Sequence, residues 1–375
     1  MADAPGSLVI ERGSILAYRV LDVADEILLD HAEAALTGMA RLSRVEIAPG
    51  TPGAIAVTVQ PVALELGIQS VELPRTSRTV QAQVSARFFA YGAVSILFEI
   101  PIAPGTSVKE LTPLCDELHD TAVLTSLARA ALAELLPGLE KAVVGRHTWE
   151  GYETYTVLFV ESLAGTPSVK DVLAAPELPK LLIGELSDGP LAAIERADVL
   201  KHTHSYLESD VVVVDWNSAF VLEPSGSRDI PDVLEIATAQ LLELRYYDAL
   251  FDRELGRIYG EVDNARRRGR WNFGAQYTAL ARNVRQRLVE LSELTERIGN
   301  AVKLLGDFYL ARVYTGALSR FQIKSWEEAV LRKQRLLAGV YDLLKGEVDT
   351  RRGTLLEITV VVLILFEIVM ALVSH

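Results

Sequence analysis

Cysteine is nearly absent: Cys115 stands alone among 375 residues. That excludes an internal disulfide framework and any cysteine-rich zinc or iron–sulfur centre. Proline is missing after Pro231, all 15 lying at or before it. Proline lacks the N–H and clashes with the preceding turn, so a proline-free C-terminal part predicts long helices. Basic side chains are in short supply, 37 against 50 acidic for a net charge of −13, which argues against a surface built throughout to hold nucleic acid. Met1–Ala17 has no basic region followed by an apolar run, so no secretory signal is expected. Gly-rich phosphate loops ending in Lys-Ser/Thr, Gly-x-Ser-x-Gly elbows and His-Glu-x-x-His pairs are also missing, and no cofactor is implied.

Charge and proline divide what is present. Residues 1–230 carry a net −15, residues 231–352 a net +4, and residues 353–375 only Glu357 and Glu367. The chain therefore reads as an acidic α+β head (1–230), a mildly basic helical stalk (231–352) and a C-terminal transmembrane anchor (353–375). In the head, Ser14–Leu21, Ala54–Val59, Gln81–Phe89, Ala93–Ile100, Tyr155–Val160 and Val211–Val214 are strand candidates rich in β-branched and aromatic residues. Asp215-Trp216-Asn217-Ser218 suggests a hairpin leading to Ala219–Leu222, with Asn217 taking the turn conformation. Ala24–Leu36 and Val108–Leu136 have helical spacing, the latter with Pro113 expected near its first turn. Strands and helices interleave irregularly, which favours α+β over a doubly wound parallel sheet.

In the stalk, Asp232 can cap a helix from Val233 to about Asn264, and Arg266-Arg267-Arg268-Gly269-Arg270 breaks the pattern. A second helix is expected from Gln276, with apolar residues from Leu280 to Phe308 averaging a 3.5-residue spacing. This is the seam of a helical hairpin or a coiled coil, within one chain or between chains. A third helix, Ser325 to about Asp349, runs into the tail.

Leu355–Val373 contains no Gly, Pro, Lys or Arg. A helix of that length covers roughly 28 Å, close to the hydrocarbon thickness of a bilayer. Glu357 lies within a turn of the start and can reach the headgroups. Glu367 lies deeper, where an ionised acid costs about 2.5–3.5 kcal/mol, against roughly 5–9 kcal/mol from its apolar neighbours. Insertion is favoured. Arg351 and Arg352 precede the span, so the head is expected on the cytoplasmic side, in the arrangement of a tail-anchored protein. Glu367 admits three readings: an ion path, a contact that locks one tail against another, and a tolerated acid that snorkels to the far interface. Self-association is the reading adopted.

The segments Leu356-Glu357-Ile358 and Phe366-Glu367-Ile368, preceded by Tyr341-Asp342-Leu343 and Arg351-Arg352, resemble the C-terminal signature of the "required for meiotic nuclear division" family. Phe88-Phe89-Ala90-Tyr91-Gly92-Ala93-Val94 resembles that family's aromatic-Tyr-Gly strand, and Val211–Ser218, Asp229-Ile230 and Leu241–Tyr247 are similar to its bacterial members. The resemblance implies a membrane-anchored domain without established catalytic residues. Its eukaryotic members sit in the mitochondrial inner membrane and are linked to mitochondrial translation. With no transit peptide in view, the resemblance implies a bacterial plasma-membrane member.

Little else points to chemistry. His202 and His204 form a His-x-His pair that would share a metal only with a third ligand, so a solvated segment is the simpler reading. His31, His119 and His147 read as ordinary surface or packing residues. Cys115, at helical spacing with Leu111 and Leu118, reads as core rather than nucleophile. Arg266, Arg267, Arg268 and Arg270 with Trp271 form the candidate phosphate or partner patch, against the plainer reading of a solvated interhelical turn. The expected role is a non-enzymatic, oligomeric membrane scaffold or tether whose cytoplasmic head meets a protein partner. The alternatives are a membrane-tethered hydrolase or metal-dependent enzyme, and an RNA or ribosome tether; nucleic acid is possible but not favoured.

Overall fold

The computed structural model describes residues 7–38, 41–45, 60–267, 282, 285 and 308–373. The chain divides into two compact units. One comprises Met1–Tyr246 with Ile298–Ser325, the other Tyr247–Arg297 with Trp326–His375.

The first unit is built on a mixed sheet. Its strands are β1 (Val9–Asp22), β2 (Glu26–Ile27), β3 (Leu42–Arg44), β4 (Val62–Leu73), β5 (Arg78–Phe88), β6 (Ala93–Pro101), β7 (Thr106–Ser107), β8 (Val143–Val144), β9 (Tyr152–Leu163), β10 (Thr203–His204), β11 (Val211–Val214) and β12 (Ser218–Leu222). Ten of them form one sheet in the order β10-β11-β12-β9-β1-β6-β5-β4-β3, with β7 also on β1, while β2 and β8 pair separately. Every pairing in the large sheet is antiparallel except β12 with β9.

Between the strands run α1 (Leu29–Leu36), α2 (Val108–Asp120), α3 (Ala122–Leu135), α4 (Val169–Ala174), α5 (Glu177–Ile183) and α6 (Ala193–Val199); then follow α7 (Asp229–Arg267), α8 (Phe308–Arg320) and α9 (Ile323–Val373). The expected helix 108–136 is two helices. Ser107 and Glu110 form a capping box at the start of α2, and Thr121, in extended conformation, caps α3 through its hydroxyl on Val123 N–H. Pro113 sits in the interior of α2 rather than in its first turn. Ala24–Leu36 is helical only from Leu29, because tertiary contacts hold its first residues extended. Asp25 N–H bonds Val144 O at 3.1 Å. Gly92, at φ +98°, brings its backbone so close that a Cβ would lie 1.7 Å from Ala24 O. The candidate strand Ala54–Val59 lies outside the described residues.

Alternation along β1 explains the layering. Ile15, Ala17 and Leu21 join a core with α2, α3 and α5 residues such as Leu118, Leu124, Ala128 and Leu181. Arg19 shares that face, fully buried, donating to Leu118 O (2.7 Å), Tyr18 O (2.9 Å) and Thr125 Oγ1 (3.2 Å). Burial lowers its guanidinium to about 10. Ser14, Leu16, Tyr18, Val20 and Asp22 point the other way and are buried too. That second face is tied to the early part of α7 and to α8. Arg87 of β5 pairs with Asp232 (2.9 Å) and Glu235 of α7. Arg245 pairs with Glu153 of β9, and Tyr314 of α8 donates to Gln240 at 2.6 Å. Phe321 meets Tyr155 edge-on, ring centroids 5.3 Å apart. Residues 231–246 and 308–325 therefore belong to the head unit, so the compact units part at Tyr246 rather than at 230, because this apolar and ionic face of α7 closes the sheet.

By length and composition Ala122–Leu139 would suffice to cross a bilayer, a third of it being buried within the fold. Leu124, Ala128, Leu132, Leu135 and Leu139 line the head core, which makes this a core helix.

In the second unit, Lys333 of α9 holds Asp248 (2.6 Å) and Asp252 (2.7 Å) of α7, and Phe251, Leu255, Ile258, Val330, Leu337 and Leu344 are buried. The helix expected from Ser325 to about Asp349 continues unbroken to Val373. The expected seam from Leu280 to Phe308 falls almost wholly outside the described residues.

Arg87→Met leaves Asp232 and Glu235 facing each other without their cation. Full-chain urea unfolding should show a loss of about 3–5 kcal/mol. Adding Glu235→Gln should recover part of it.

Candidate functional site

Two polar clusters are built into the head. The first is a cleft between α2, β9, the end of α5 and the β11–β12 turn, lined by Cys115, Asp116, His119, Thr156, Gly184 and Asn217 among others. His119 projects from the last turn of α2, where its ring spans two strands. Nε2 lies 2.8 Å from Asn217 Nδ2 and Nδ1 lies 3.3 Å from Thr154 Oγ1. With the Asn217 amide donating to Nε2, the proton sits on Nδ1 and is donated to Thr154. Burial, helped by the Arg19 charge, lowers the His119 pKa and keeps the ring neutral. Both ring nitrogens are thus engaged, and neither is left to activate Cys115. Burial pushes that thiol up to about 12, the opposite of what a nucleophile needs. The cavity measures about 30 Å³, room for one or two waters. The Thr156 hydroxyl lines it, buried and without a protein partner, and a water there would satisfy it.

The second cluster lies where β1 ends. Asp22 is sealed from solvent, and His147 Nε2 stands 3.1 Å from its Oδ1. His147 Nδ1 lies 3.5 Å from Asp25 Oδ1 and 3.2 Å from Gly145 O. Gly145 has φ +65°, and a Cβ on it would fall 2.0 Å from Asp25 Oδ2. Only glycine lets the two segments approach so closely. The imidazole stacks on Tyr246 of α7, centroids 4.5 Å apart and planes 6° from parallel. Trp149 meets the same Tyr246 ring edge-on at 5.4 Å. Burial opposes it, but the carboxylates of Asp22 and Asp25 together with Gly145 O raise the His147 pKa. Burial raises that of Asp22. Nearby, burial raises Glu153 to about 7, a larger effect than the attraction of Arg245.

Most of the residues singled out in the sequence lie wholly or in their side chains outside the described residues. Arg266 and Arg267 close α7, while Arg268, Arg270 and Trp271 lie outside the described residues, as do the side chains of Arg266, Arg267, Arg351, Arg352 and Glu367. Glu357 is exposed on α9. His202 and His204 are not a solvated pair. His204 is inserted against α8, where a Cβ on Gly316 would lie 2.4 Å from its Nε2, and burial lowers both pKa values. No group of three potential metal-binding side chains occurs among the described residues. Asn217 keeps an ordinary backbone conformation, absent from the positive-φ residues; its use is the bond to His119, and its carbonyl accepts from Thr156 N–H. His119 and His147 were read as isolated because their partners are distant in sequence. The Gly145-x-His147 spacing beside Trp149 was the one local sign of a close approach.

Fold and clusters together define a mixed-sheet α+β head whose buried polar groups join elements to one another. The profile of the family described as "Uncharacterized protein MJ0711, N-terminal domain" matches residues 12–228, more than half the chain, and the chain belongs to that family. It is also 25% identical over 198 residues to "Uncharacterized protein MJ0711" of Methanocaldococcus jannaschii, an alignment covering 52% of this chain and 58% of that protein. The chain thus matches under two thirds of that relative's length. No solved structure matches.

Native Cys115 should react with Ellman's reagent at pH 8 at least on the order of a hundredfold more slowly than in denaturant. An absorbance time course at 412 nm on both forms measures it.

Proposed function

We propose that this protein is a tail-anchored, non-enzymatic membrane scaffold or tether, with its head presented to a protein partner in the cytoplasm. The observation that carries the reading is the surface of α9. From Leu356 to Met370 its described large apolar side chains, on every side of the helix, are roughly half to two-thirds exposed. A helix apolar all round and uncovered by its own chain is suited to lipid rather than water. Its roughly 28 Å of apolar length fits a bilayer core. Arg351 and Arg352 on its N-terminal side favour a cytoplasmic head, hence a bacterial inner membrane. The likeness of this tail and of Phe88–Val94 to the meiotic nuclear division family supports the same placement.

On this reading Glu367 is the contact through which copies associate. An acid within the span is stabilised by a partner or a hydrogen bond rather than by lipid. The acidic head favours a basic protein partner over RNA. The Arg266–Arg270 patch with Trp271 is where anionic headgroups or phosphates would be met.

The full chain should remain with vesicles in alkaline carbonate, and a chain ending at Thr350 should wash off; release of the full chain sinks the anchor. Glu367→Leu should reduce oligomer size in mild detergent by light scattering, and an unchanged size removes that residue's role. Ribosome co-sedimentation falling steeply with salt would favour the RNA tether instead.

A further inference from the structure

The second cluster in the head has the parts of a switch. His147 is held from three directions. Asp22, from the central strand β1, faces Nε2 at 3.1 Å. Asp25, from the turn after β1, and Gly145 O, from its own segment, face Nδ1 at 3.5 and 3.2 Å. Tyr246 of α7 covers the ring face. The other charged groups near this end are Glu153 of β9 with Arg245 of α7, and Arg146 and Glu150 on the same segment, the latter paired with Arg129 at 3.1 Å. Nε2 lies against Asp22 without a formed hydrogen bond, but carboxylate oxygens stand beside both ring nitrogens, which suits a charged imidazolium and suits a neutral ring poorly.

We propose that His147 is a proton-operated latch, holding the segment Gly145–Trp149 and the Tyr246 turn of α7 on the end of β1 when protonated and releasing them when neutral. Losing the proton leaves the Asp22 carboxylate buried beside an uncharged ring, with one ring nitrogen lacking a donor toward its acceptors. The stack on Tyr246 and the edge contact of Trp149 transmit the change, since they are the ring contacts between this segment and α7 among the described residues.

The direction follows from proton counting. His147 and Asp22 both bind their protons more tightly in the folded head than in the unfolded chain, as does Glu153. The stability they add is complete below the unfolded pKa values and is lost as pH rises through the folded ones. The latch opens toward alkaline pH. His119, His202 and His204, whose pKa values are lowered, act in the opposite sense, losing their contribution as pH falls. The proposal concerns the head alone and stands or falls independently of the membrane anchor.

The test is hydrogen exchange by mass spectrometry on the full chain in nanodiscs at pH 6 and pH 9, corrected for intrinsic rates, with NMR titration of His147 labelled at Cε1. Wild-type His147 should titrate above about 6.5. Protection of Gly145–Trp149 and Leu241–Tyr247 should fall at least tenfold at pH 9, with β6 unchanged. His147→Gln should abolish the pH dependence in those two segments, and Asp22→Asn should lower the His147 titration. Equal protection at both pH values, titration at or below about 6.5, or a pH dependence surviving in His147→Gln overturns the latch. If Asp22→Asn does not fold, the wild-type titration and His147→Gln decide by themselves.

Discussion

Strand β1 is buried on both faces from Ser14 to Asp22, apart from nothing but the alternation of direction that any strand imposes. A strand in that position needs two layers of cover. The helices between β7 and β11 supply one, and the elements after Pro231 supply the other. This explains why a chain that changes composition so sharply at Pro231 does not end its head there. The described parts of the proline-free region are helical, but its first helix is committed to the sheet before it belongs to anything else. Burying a single side chain such as Phe159 or Leu16 contributes about 1.5–3 kcal/mol, and an uncovered second face would forfeit many such terms.

That second layer is held by charge as well as by apolar area. Arg87 with Asp232 and Glu235, Arg245 with Glu153, Arg228 with Glu99 at 2.5 Å, and Arg320 with Asp198 (2.7 Å) and Asp215 each join a helix or its leading loop to the sheet or its loops. The buried Arg87 pairs add little net stability, because desolvation consumes most of their attraction, and the half-exposed pairs are weakened by solvent screening. They do fix position, since a helix that slips by one turn strands every partner at once. Burial raises the pKa values of Glu153 and Glu235 among them, so these two make the interface responsive to protons in a way that Leu and Val would not.

The elements that follow local rules were legible in the sequence. Val211–Val214 and Ala219–Leu222 are β-branched runs around a polar turn, and the strand and hairpin assignments hold almost to the residue. The α+β class follows from irregular interleaving, and the sheet is indeed mixed and mainly antiparallel. Misreadings arose where distant residues decide. Ala24–Leu36 has helical spacing throughout, yet Gly92 and Gly145 pin its first residues into an extended turn. Pro113, expected in a first turn, lies in the helix interior for a local reason instead, because the Ser107–Glu110 capping box starts α2 earlier. The partners in the polar clusters are not legible in the sequence. His119 bonds a residue 98 positions away, and the ring stacked on His147 belongs to Tyr246. A lone histidine carries no mark of such partners.

The family profile ends at residue 228 and α7 begins at residue 229. The part of the chain recognisable by profile is thus the sheet with its first helical layer, and it stops one residue short of the helix that completes the second layer. A sheet with Tyr18, Arg87, Asp22 and Glu153 on one face cannot leave that face open to water without stripping Arg87 and Glu153 of their partners and exposing the apolar residues among them. Whatever follows residue 228 must therefore supply a matching polar and apolar surface. In this chain α7 does so with Asp232, Glu235, Arg245 and Tyr246, and the same helix continues beyond Tyr246 into the second unit.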